Sequence, residues 1–333
     1  MAKIDVTELD IFYISYDEPN CEEHWSDLLN KVPWAKRVHG VKGFDAAHKA
    51  CANQSETDRF ITVDGDNIVM PDFFEQVLDV PDEDHDGNNI SESIFSWNAK
   101  NILNGLVYGN GGLKCWPTEY TKSINTHEAA TDGEGMEFCW KLNYIQLNDT
   151  FSEVHQTASP FQAFRAGFRE GVKMSLDQGA RVSADEFIDK VWWQNYNRLQ
   201  TWCNIGSDVE NGLWAIYGSR LGCEMTVLSD WDTNLISDYE WFKNFFYEEV
   251  APKFEGFSDQ QCRYTKLEWD SNVLLKEICS LGRTLNNDIN EMMLFDPTPE
   301  MCKFFKKTYV NPRRWGVMIR EKQIQDLLEK GLL

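Results

Sequence analysis

Two aspartates separated by one glycine follow an apolar run, in the sequence VDGDN. Asp64 and Asp66 offer carboxylate oxygens, the ligands that Mg²⁺ and Mn²⁺ prefer in proteins together with substrate phosphates. A cation held there would neutralise charge on a departing phosphate as a Lewis acid. Because Gly65 leaves room for the turn, both carboxylates can reach one ion, directly or through water. The pair predicts a divalent metal site for a diphosphate, although an ordinary acidic turn has the same sequence.

The acid pair follows an alternation of strand and helix patterns that must position it. Strands are predicted over 11–16, 36–41 and 59–63, and helices from an Asn20–Glu23 cap pair through Val32 and over 44–54. This order is typical of a mostly parallel sheet with helices on its faces. Ligands of such sheets bind at the carboxyl ends of the strands. The position of the acids after the third strand therefore favours a binding role.

The remaining sequence contains more α/β patterns and then a helical region. We predict a helix from Pro71 through residue 80, a mobile acidic loop over 81–93, a Gly-rich turn at 109–112, a helix over 136–142, and strands over 93–97, 113–116, 144–147 and 151–155. Beyond about residue 158 the patterns become long, aromatic-rich and helical. The predicted domains are an α/β domain over 1–160 and a mainly helical region over 161–333, which could bind an acceptor.

Composition excludes several classes of protein. The 333 residues are 42% hydrophobic and 13% aromatic, as in a packed globular protein. No apolar stretch is long enough to span a bilayer, and the nine cysteines form no CxxC pair, so we expect a cytoplasmic protein with reduced thiols and no membrane partner. A net charge of −22 disfavours nonspecific binding to nucleic acid. The only dense basic run lies over 303–322, and most such runs are solvated surfaces.

Two segments resemble the GT-A glycosyltransferases, particularly the family 2-like and polypeptide GalNAc-transferase-like members. They are GFDAAHKACANQSETDRFITVDGDNIVMPDFF and DGEGMEFCWKLNYIQLNDTFSEVHQ, and the likeness covers roughly residues 8–157. It implies a Rossmann-like domain that binds a nucleotide-sugar, in particular a UDP-sugar, with Mn²⁺ or Mg²⁺. By the same resemblance Asp64 and Asp66 would bind metal and diphosphate, and His155 would be the third metal ligand. A structural role for His155 is equally consistent with its sequence.

The resemblance also places Glu134 or Glu137 near the acceptor. Inverting family 2 enzymes usually take their base from a Glu-Asp pair, whereas Glu134 is followed here by Gly135. An inverting base must lie within hydrogen-bond reach of the acceptor hydroxyl, and Glu137 stands about one helical turn further on. The identity of the base, and the choice between inversion and retention, therefore stay open.

Further candidates for substrate binding flank the predicted strands. GT-A folds hold the nucleotide after the first strand, and Lys42 and His48 flank the start of the second helix, where they could meet phosphate or uracil. Amide and aromatic groups that grip sugars occur in SWNAKNILNGLVYGNGG. The candidates are Tyr16, Asp17, Glu18, Lys42 and His48 for the nucleotide-sugar, together with Gly65 of the acid turn, and Trp97, Asn98, Asn101 and Tyr108 for the acceptor. Turn, surface and core roles explain each of them as well.

The predicted function is transfer of a sugar from a nucleotide diphosphate to an acceptor hydroxyl. The acidic composition and the overall sequence pattern resemble those of glycosyltransferases of tailed phages, some of which modify hydroxymethylated DNA bases. That likeness implies 5-hydroxymethylcytosine in DNA as acceptor and the host cytoplasm as location. A glycan or protein acceptor is the nearest alternative. A haloacid-dehalogenase-type phosphatase and a non-catalytic carbohydrate-binding module are alternatives from other classes.

Overall fold

The computed structural model describes residues 2–83, 87, 89–90, 92–109, 111–126, 142–254, 271–289, 292–310 and 319–333. The chain forms two compact units. The first contains the described parts of 1–101 and 107–155, and the second contains 102–106 and the described parts of 156–310 and 319–333.

The first unit is an α/β structure. Its helices are α1 (Cys21–Lys31), α2 (Phe44–Gln54) and α3 (Thr118–Thr121). Its strands are β1 (Ala2–Asp5), β2 (Asp10–Ser15), β3 (Lys36–His39), β4 (Arg59–Asp64), β5 (Asn67–Val69), β6 (Val77–Val80), β7 (Ile94–Asn101), β8 (Val107–Tyr108), β9 (Leu113–Pro117) and β10 (Tyr144–Val154). The β-α-β-α-β order predicted for the first third of the chain is confirmed.

The central sheet is mixed. In the part of the chain that the structure describes, its strand order is β3-β2-β4-β9-β7-β10-β5, and β8 pairs with β7. β2 is parallel to β3 and β4, and β10 is parallel to β7. β9 runs antiparallel to both β4 and β7, and β5 runs antiparallel to β10. The α/β class is confirmed, while the mostly parallel sheet is corrected to a mixed one because β9 runs antiparallel to both of its neighbours, β4 and β7.

Apolar side chains cover both faces of this sheet. Along β2, Ile11 and Tyr13 lie in one buried cluster and Phe12 lies in another, as expected from the alternation of side chains along a strand. β4 follows the same pattern, with Ile61 and Val63 on one face and Phe60 on the other. The polar residues that follow β2, β3 and β4 therefore stand at the end of a sheet that is packed on both faces.

Two predicted elements differ from the observed ones. The helix expected from Pro71 through residue 80 is a short 3-10 helix, Pro71–Glu75, followed by β6. β6 pairs antiparallel with the N-terminal strand β1, which is distant in sequence, and this pairing overrides the helical pattern of residues 71–80. The two strands expected over 144–147 and 151–155 are the single strand β10, whose pairing with β7 shifts register between Gln146 and Ser152. The helix predicted over 136–142 lies almost wholly outside the described residues.

The second unit is mainly helical. Its helices are α4 (Pro160–Lys173), α5 (Phe187–Lys190), α6 (Trp193–Asn204), α7 (Gly212–Leu228), α8 (Tyr239–Asn244), α9 (Ser271–Asp288), α10 (Pro299–Tyr309) and α11 (Glu321–Glu329). α4 and α7 pack with their backbones in close approach, since a Cβ atom added at Gly167 would lie 1.9 Å from the carbonyl oxygen of Ala215. One added at Gly218 would lie 2.4 Å from that of Phe164. The predicted helical C-terminal region is confirmed.

A membrane-spanning helix needs about 20 predominantly apolar residues. Among the residues that the structure describes, no helix is both long and apolar enough to cross a membrane.

Candidate functional site

Asp64 ends β4 at the edge of the sheet where the parallel strands β2, β3 and β4 have their carboxyl ends. In register it pairs with Ile14 of β2, and its backbone N–H donates to the carbonyl oxygen of Gly112, 3.0 Å away. Gly112 approaches so closely that a Cβ atom there would lie 2.4 Å from Asp64 Cβ. The Asp64 side chain remains 42% exposed. The predicted Gly-rich turn therefore packs against the backbone of the acid pair and leaves one carboxylate accessible.

A buried lysine lies beside Asp64. Lys114 Nζ is 3.9 Å from Asp64 Oδ2, and it donates a hydrogen bond of 2.7 Å to the carbonyl oxygen of Gly111. The surrounding protein raises the pKa of Asp64 to about 6 because it displaces water from the carboxylate; Lys114 opposes this shift and Asp66 adds to it. Lys114 was not predicted as a site residue, although a charge inside the apolar strand LKCW was a signal for it.

Glu18 brings a third carboxylate close to the acid turn. Its Oε2 accepts a hydrogen bond of 2.8 Å from the backbone N–H of Tyr16. The same oxygen would lie 2.8 Å from a Cβ atom at Gly65, so only glycine fits there without displacing Glu18. Burial raises the pKa of Glu18, and the charges of Asp66 and Asp64 raise it further. Glu18, Asp64 and Asp66 thus repel one another, and a cation would relieve that repulsion.

Side chains from α1 and β2 hold the Asp64–Asp66 turn in place. The carbonyl oxygen of Gly65 lies 2.7 Å from Tyr13 Oη and 3.1 Å from His24 Nδ1. Because a carbonyl accepts, this contact assigns the hydrogen to Nδ1 of His24. Burial lowers the pKa of His24, and the nearby imidazole of His155 lowers it further, so both favour the neutral form of His24. No motif in the sequence singles out His24, which enters the site only because α1 packs beside the turn.

The position of His155 is set by the backbone. Its N–H donates to the carbonyl oxygen of Asp66 at 2.7 Å, one residue beyond the antiparallel pair Val154 and Asn67. Its own carbonyl oxygen accepts a hydrogen bond of 2.9 Å from the side chain of Asn20. The predicted side-chain cap by Asn20 on α1 does not form. Asp66 and His155 are therefore neighbours despite the 88 intervening residues.

The His155 imidazole contacts two other side chains. Its Nε2 lies 3.4 Å from Glu153 Oε2, and its ring packs edge to face on His24 at 5.4 Å between centroids. The nearby His155 imidazole lowers the pKa of Glu153, and Lys100 lowers it further. This conformation of the side chain is the one that a structural role would give. A role as metal ligand would require the imidazole to turn away from Glu153.

The donor atoms fit a hard divalent cation in kind. Across the described ranges, no group of three or more His, Cys, Asp or Glu side chains has the geometry to hold a metal ion. Mg²⁺ is usually bound by one or two carboxylates plus substrate phosphates, without a complete protein cage. Asp64 and Asp66 are suited to that incomplete kind of site, in which a diphosphate would supply the remaining oxygens.

The predicted nucleotide-binding residues divide into exposed and buried ones. Tyr16 and Lys42 are exposed, and Asp17 is partly exposed. His48 is corrected from a substrate contact to a core residue, since its ring is buried and packs on Trp116 at 4.5 Å between centroids. Its Nδ1 donates to the carbonyl oxygen of Phe44 at 2.8 Å, and burial lowers its pKa to about 3. A phosphate or uracil would not reach a side chain in this position.

Arg37 is a further basic group at this edge of the sheet, and the sequence did not suggest it. Its Nε donates to Ser15 Oγ at 3.0 Å, and its Nη2 donates to Glu22 Oε1 at 2.7 Å. His39 Nδ1 lies 2.9 Å from the same hydroxyl. The residues that end β2 and β3 are therefore linked side by side next to the exposed Tyr16.

The predicted acceptor-binding residues lie mostly in the interior of the first unit. Trp97 is 1% exposed and packs edge to face on Phe73, so its role is corrected to core packing. Asn98 is also buried; its amide donates to the carbonyl oxygen of Asn148 and accepts from Gln146 Nε2, both at 3.0 Å. Asn101 is buried, whereas Tyr108 is partly exposed. Glu134 and Glu137 lie outside the described residues.

Comparisons of the chain with protein-family models, with curated proteins and with solved structures find no significant match. The geometry of the site is therefore the ground for assigning a function.

Proposed function

We propose that this protein is a metal-dependent glycosyltransferase that moves a sugar from a nucleotide diphosphate sugar, such as a UDP-sugar, to an acceptor hydroxyl. One observation carries the proposal: the Asp64–Asp66 turn stands at the carboxyl ends of parallel strands, between Glu18 and His155. This is the edge at which α/β sheets bind ligands. A GT-A arrangement of the first unit is part of the same proposal.

The electrostatics of the turn support a cation-dependent role. With a pKa of about 6, Asp64 is mainly ionised at pH 7, and it lies close to the carboxyl groups of Asp66 and Glu18. Asp64 and Asp66 would hold Mn²⁺ or Mg²⁺, with His155 as a further ligand only if its imidazole turns away from Glu153. When bound, the cation would neutralise the negative charge that develops on the leaving diphosphate.

The protein's own residues would position the donor. Tyr13 and His24 hold the carbonyl oxygen of Gly65, which fixes the direction of both flanking carboxylates. Tyr16, whose backbone N–H donates to Glu18, offers an exposed aromatic side chain suited to stacking on a nucleobase. Glu134 and Glu137 stay the predicted candidates for the base that accepts the proton of the acceptor hydroxyl.

Hydroxymethylated DNA is the acceptor that the likeness to phage enzymes suggests, and a glycan or protein is the alternative. Lys306, one of the basic residues that would contact DNA, lies 2.7 Å from Asp208 Oδ1, and this ion pair removes it from the set of phosphate contacts. The remaining cations of the run include the exposed Lys303 and Lys307.

Release of UDP from UDP-glucose, UDP-galactose and UDP-N-acetylglucosamine, with Mn²⁺ and with chelator, tests the proposal. We expect Mn²⁺-dependent release that falls by at least about a hundredfold in Asp64→Asn or Asp66→Asn, because Lewis-acid stabilisation is worth several kcal/mol. Asp230→Asn, which changes an exposed aspartate of the second unit, is the matched control for net charge. Full activity of either site variant in chelator would refute the proposal.

Two other outcomes would favour the alternative functions. Mg²⁺-dependent hydrolysis of p-nitrophenyl phosphate that requires Asp64 would indicate a phosphatase in which this aspartate is the nucleophile. Binding of a nucleotide-sugar or glycan without any turnover, together with wild-type binding by both asparagine variants, would indicate a non-catalytic module.

A further inference from the structure

Two adjacent tryptophans are exposed at the start of α6 in the second unit. Trp192 is 51% exposed and Trp193 is 53% exposed, and their rings lie 6.5 Å apart at an angle of 66°. The apolar residues that flank them in sequence, Phe187 and Val191, are buried. Scattered single apolar residues on a surface need no explanation, but two neighbouring indoles that expose half of their area differ from that background.

Each indole is held by an arginine. The guanidinium of Arg198 lies over the ring of Trp192 at 5.8 Å, and that of Arg320 lies over the ring of Trp193 at 5.1 Å. Arg198 also lies 3.4 Å from Asn195 Oδ1 and 3.5 Å from Gln194 Oε1. Cation–π contacts of this kind restrict the orientation of the rings. The amide groups of Asn195 and Gln194 therefore stand beside two oriented aromatic rings.

The charge around the pair is balanced although the whole chain carries −22. Over 185–198 and 320–322 the acidic residues are Asp185, Glu186, Asp189 and Glu321, and the basic residues are Lys190, Arg198, Arg320 and Lys322. A groove for single-stranded nucleic acid combines aromatic rings with a clear excess of positive charge along the backbone path. That excess is missing here, and the net charge of the chain would repel a polyanion.

We propose that Trp192 and Trp193, flanked by Gln194, Asn195, Arg198 and Arg320, form a surface that binds a neutral glycan. A sugar ring has an apolar C–H face that stacks on an indole and a rim of hydroxyls that pair with amide and guanidinium groups. The narrow apolar area, limited to two rings with a polar rim, suits such a ligand. A stable protein interface needs about 800 Å² from each partner. Binding at this surface is independent of sugar transfer at Asp64.

The test is binding of the full-length protein to neutral oligosaccharides of glucose, galactose, mannose and N-acetylglucosamine. It is done on an array, and hits are titrated in solution without nucleotide-sugar or divalent cation, so the result does not depend on the proposed transferase activity. We expect the wild-type protein to bind at least one series. The double variant Trp192→Ala/Trp193→Ala should weaken that binding at least tenfold, and Trp193→Ala alone should weaken it in part.

The matched control is Trp34→Ala, which removes a tryptophan of similar exposure, 49%, from the first unit. It should bind the oligosaccharides as the wild type does, and all variants should keep the wild-type circular dichroism spectrum. Absence of wild-type binding to every series, or undiminished binding by the double variant, would overturn the proposal. Salt-sensitive binding of a 12-nucleotide oligothymidylate that the double variant loses would assign the surface to nucleic acid. A dimer that dissociates in the double variant would assign it to a second copy of the chain.

Discussion

At Asp64, burial and cation binding favour different protonation states: burial favours the neutral acid, and a cation would favour the carboxylate. Its pKa is about 6 in the folded protein and near the ordinary value of 3.8 in an unfolded chain. At pH values between these two pKa values, the folded state holds the Asp64 proton more tightly than the unfolded state does. This contribution to stability is fully present below about pH 4 and is lost as the pH rises through 6. An ionised Asp64 therefore lowers stability at neutral pH in the absence of a cation.

Asp64→Asn should accordingly raise the free energy of unfolding at pH 7.5, and the gain over wild type should shrink as the pH falls towards 4. The exposed part of the side chain weakens the effect, so we predict its direction and not its size. Urea denaturation across this pH range without divalent cation measures it. Asp230→Asn makes the same change in net charge at an exposed site and should show no such pH dependence. A pH-independent loss of stability in Asp64→Asn would contradict the prediction.

Lys306 and Lys307 are neighbours in sequence with different environments. Lys306 Nζ lies 2.7 Å from the nearly buried Asp208 and donates to the carbonyl oxygen of Leu103 at 2.9 Å, all within the second unit. Lys307 is exposed. Lys306→Met should cost about 2 kcal/mol or more in unfolding free energy, because it leaves Asp208 without its countercharge. Lys307→Met, the matched control, should change stability by less than about 0.5 kcal/mol. Equal stability of the two variants in urea would contradict this role for Lys306.

At the scale of elements, the Gly-rich turn before β9 and the acid turn after β4 depend on each other. A Cβ atom at Gly112 would lie 2.4 Å from both Asp64 Cβ and Asn67 Nδ2. Contacts this short force the backbone to move, typically at a cost of about 1 to 3 kcal/mol. The turn that carries Asp64 and Asp66 would then lose the direction set by Tyr13 and His24.

Gly112→Ala should therefore weaken Mn²⁺ or nucleotide-sugar binding, measured by calorimetry, as well as lowering stability. Gly87→Ala is the control, because a Cβ atom at Gly87 has open space although its φ of +82° strains any other residue. That variant should lose only about 1 kcal/mol or less of stability and keep wild-type binding. Wild-type affinity in Gly112→Ala would show that the site tolerates movement of this turn.

For the whole molecule, the net negative charge opposes binding to DNA, so any binding depends on a local group of cations. If hydroxymethylated DNA is the acceptor, local cations must overcome the repulsion by a chain of charge −22. With Lys306 paired to Asp208, the exposed Lys303, Lys307 and Lys322 are the described lysines of the run that remain, and Lys303 and Lys307 lie together on α10; Arg313 and Arg314 lie outside the described residues. The double variant Lys303→Gln/Lys307→Gln should weaken DNA binding similarly for every DNA sequence. It should also reduce the slope of log affinity against log salt concentration by the share of about two phosphate contacts.

The measurement compares sugar transfer to hydroxymethylated DNA and to a neutral glycan over a series of salt concentrations. Hydrolysis of the free nucleotide-sugar should stay unchanged in the double variant, which is the internal control. Transfer to the glycan alone, or an unaltered salt slope, would leave the basic run as an ordinary solvated surface.

The sequence alone determined the parts of this protein that depend on local periodicity. The strands that became β2, β3 and β4, the helix over 44–54 and the position of Asp64 at a strand end all follow from patterns within a few residues. Helical periodicity likewise predicted the character of the second unit. These features are local because side-chain alternation along a strand and the 3.6-residue repeat of a helix are set by adjacent residues.

Only the tertiary structure decided which distant residues meet. Residues 77–80 form a strand because β1 pairs with them, and β9 makes the sheet mixed because it lies between β4 and β7. His48 and Trp97 became core residues, while Lys114 and His24 entered the site. Burial and proximity depend on packing between segments that are far apart in the chain, and no local pattern encodes that packing.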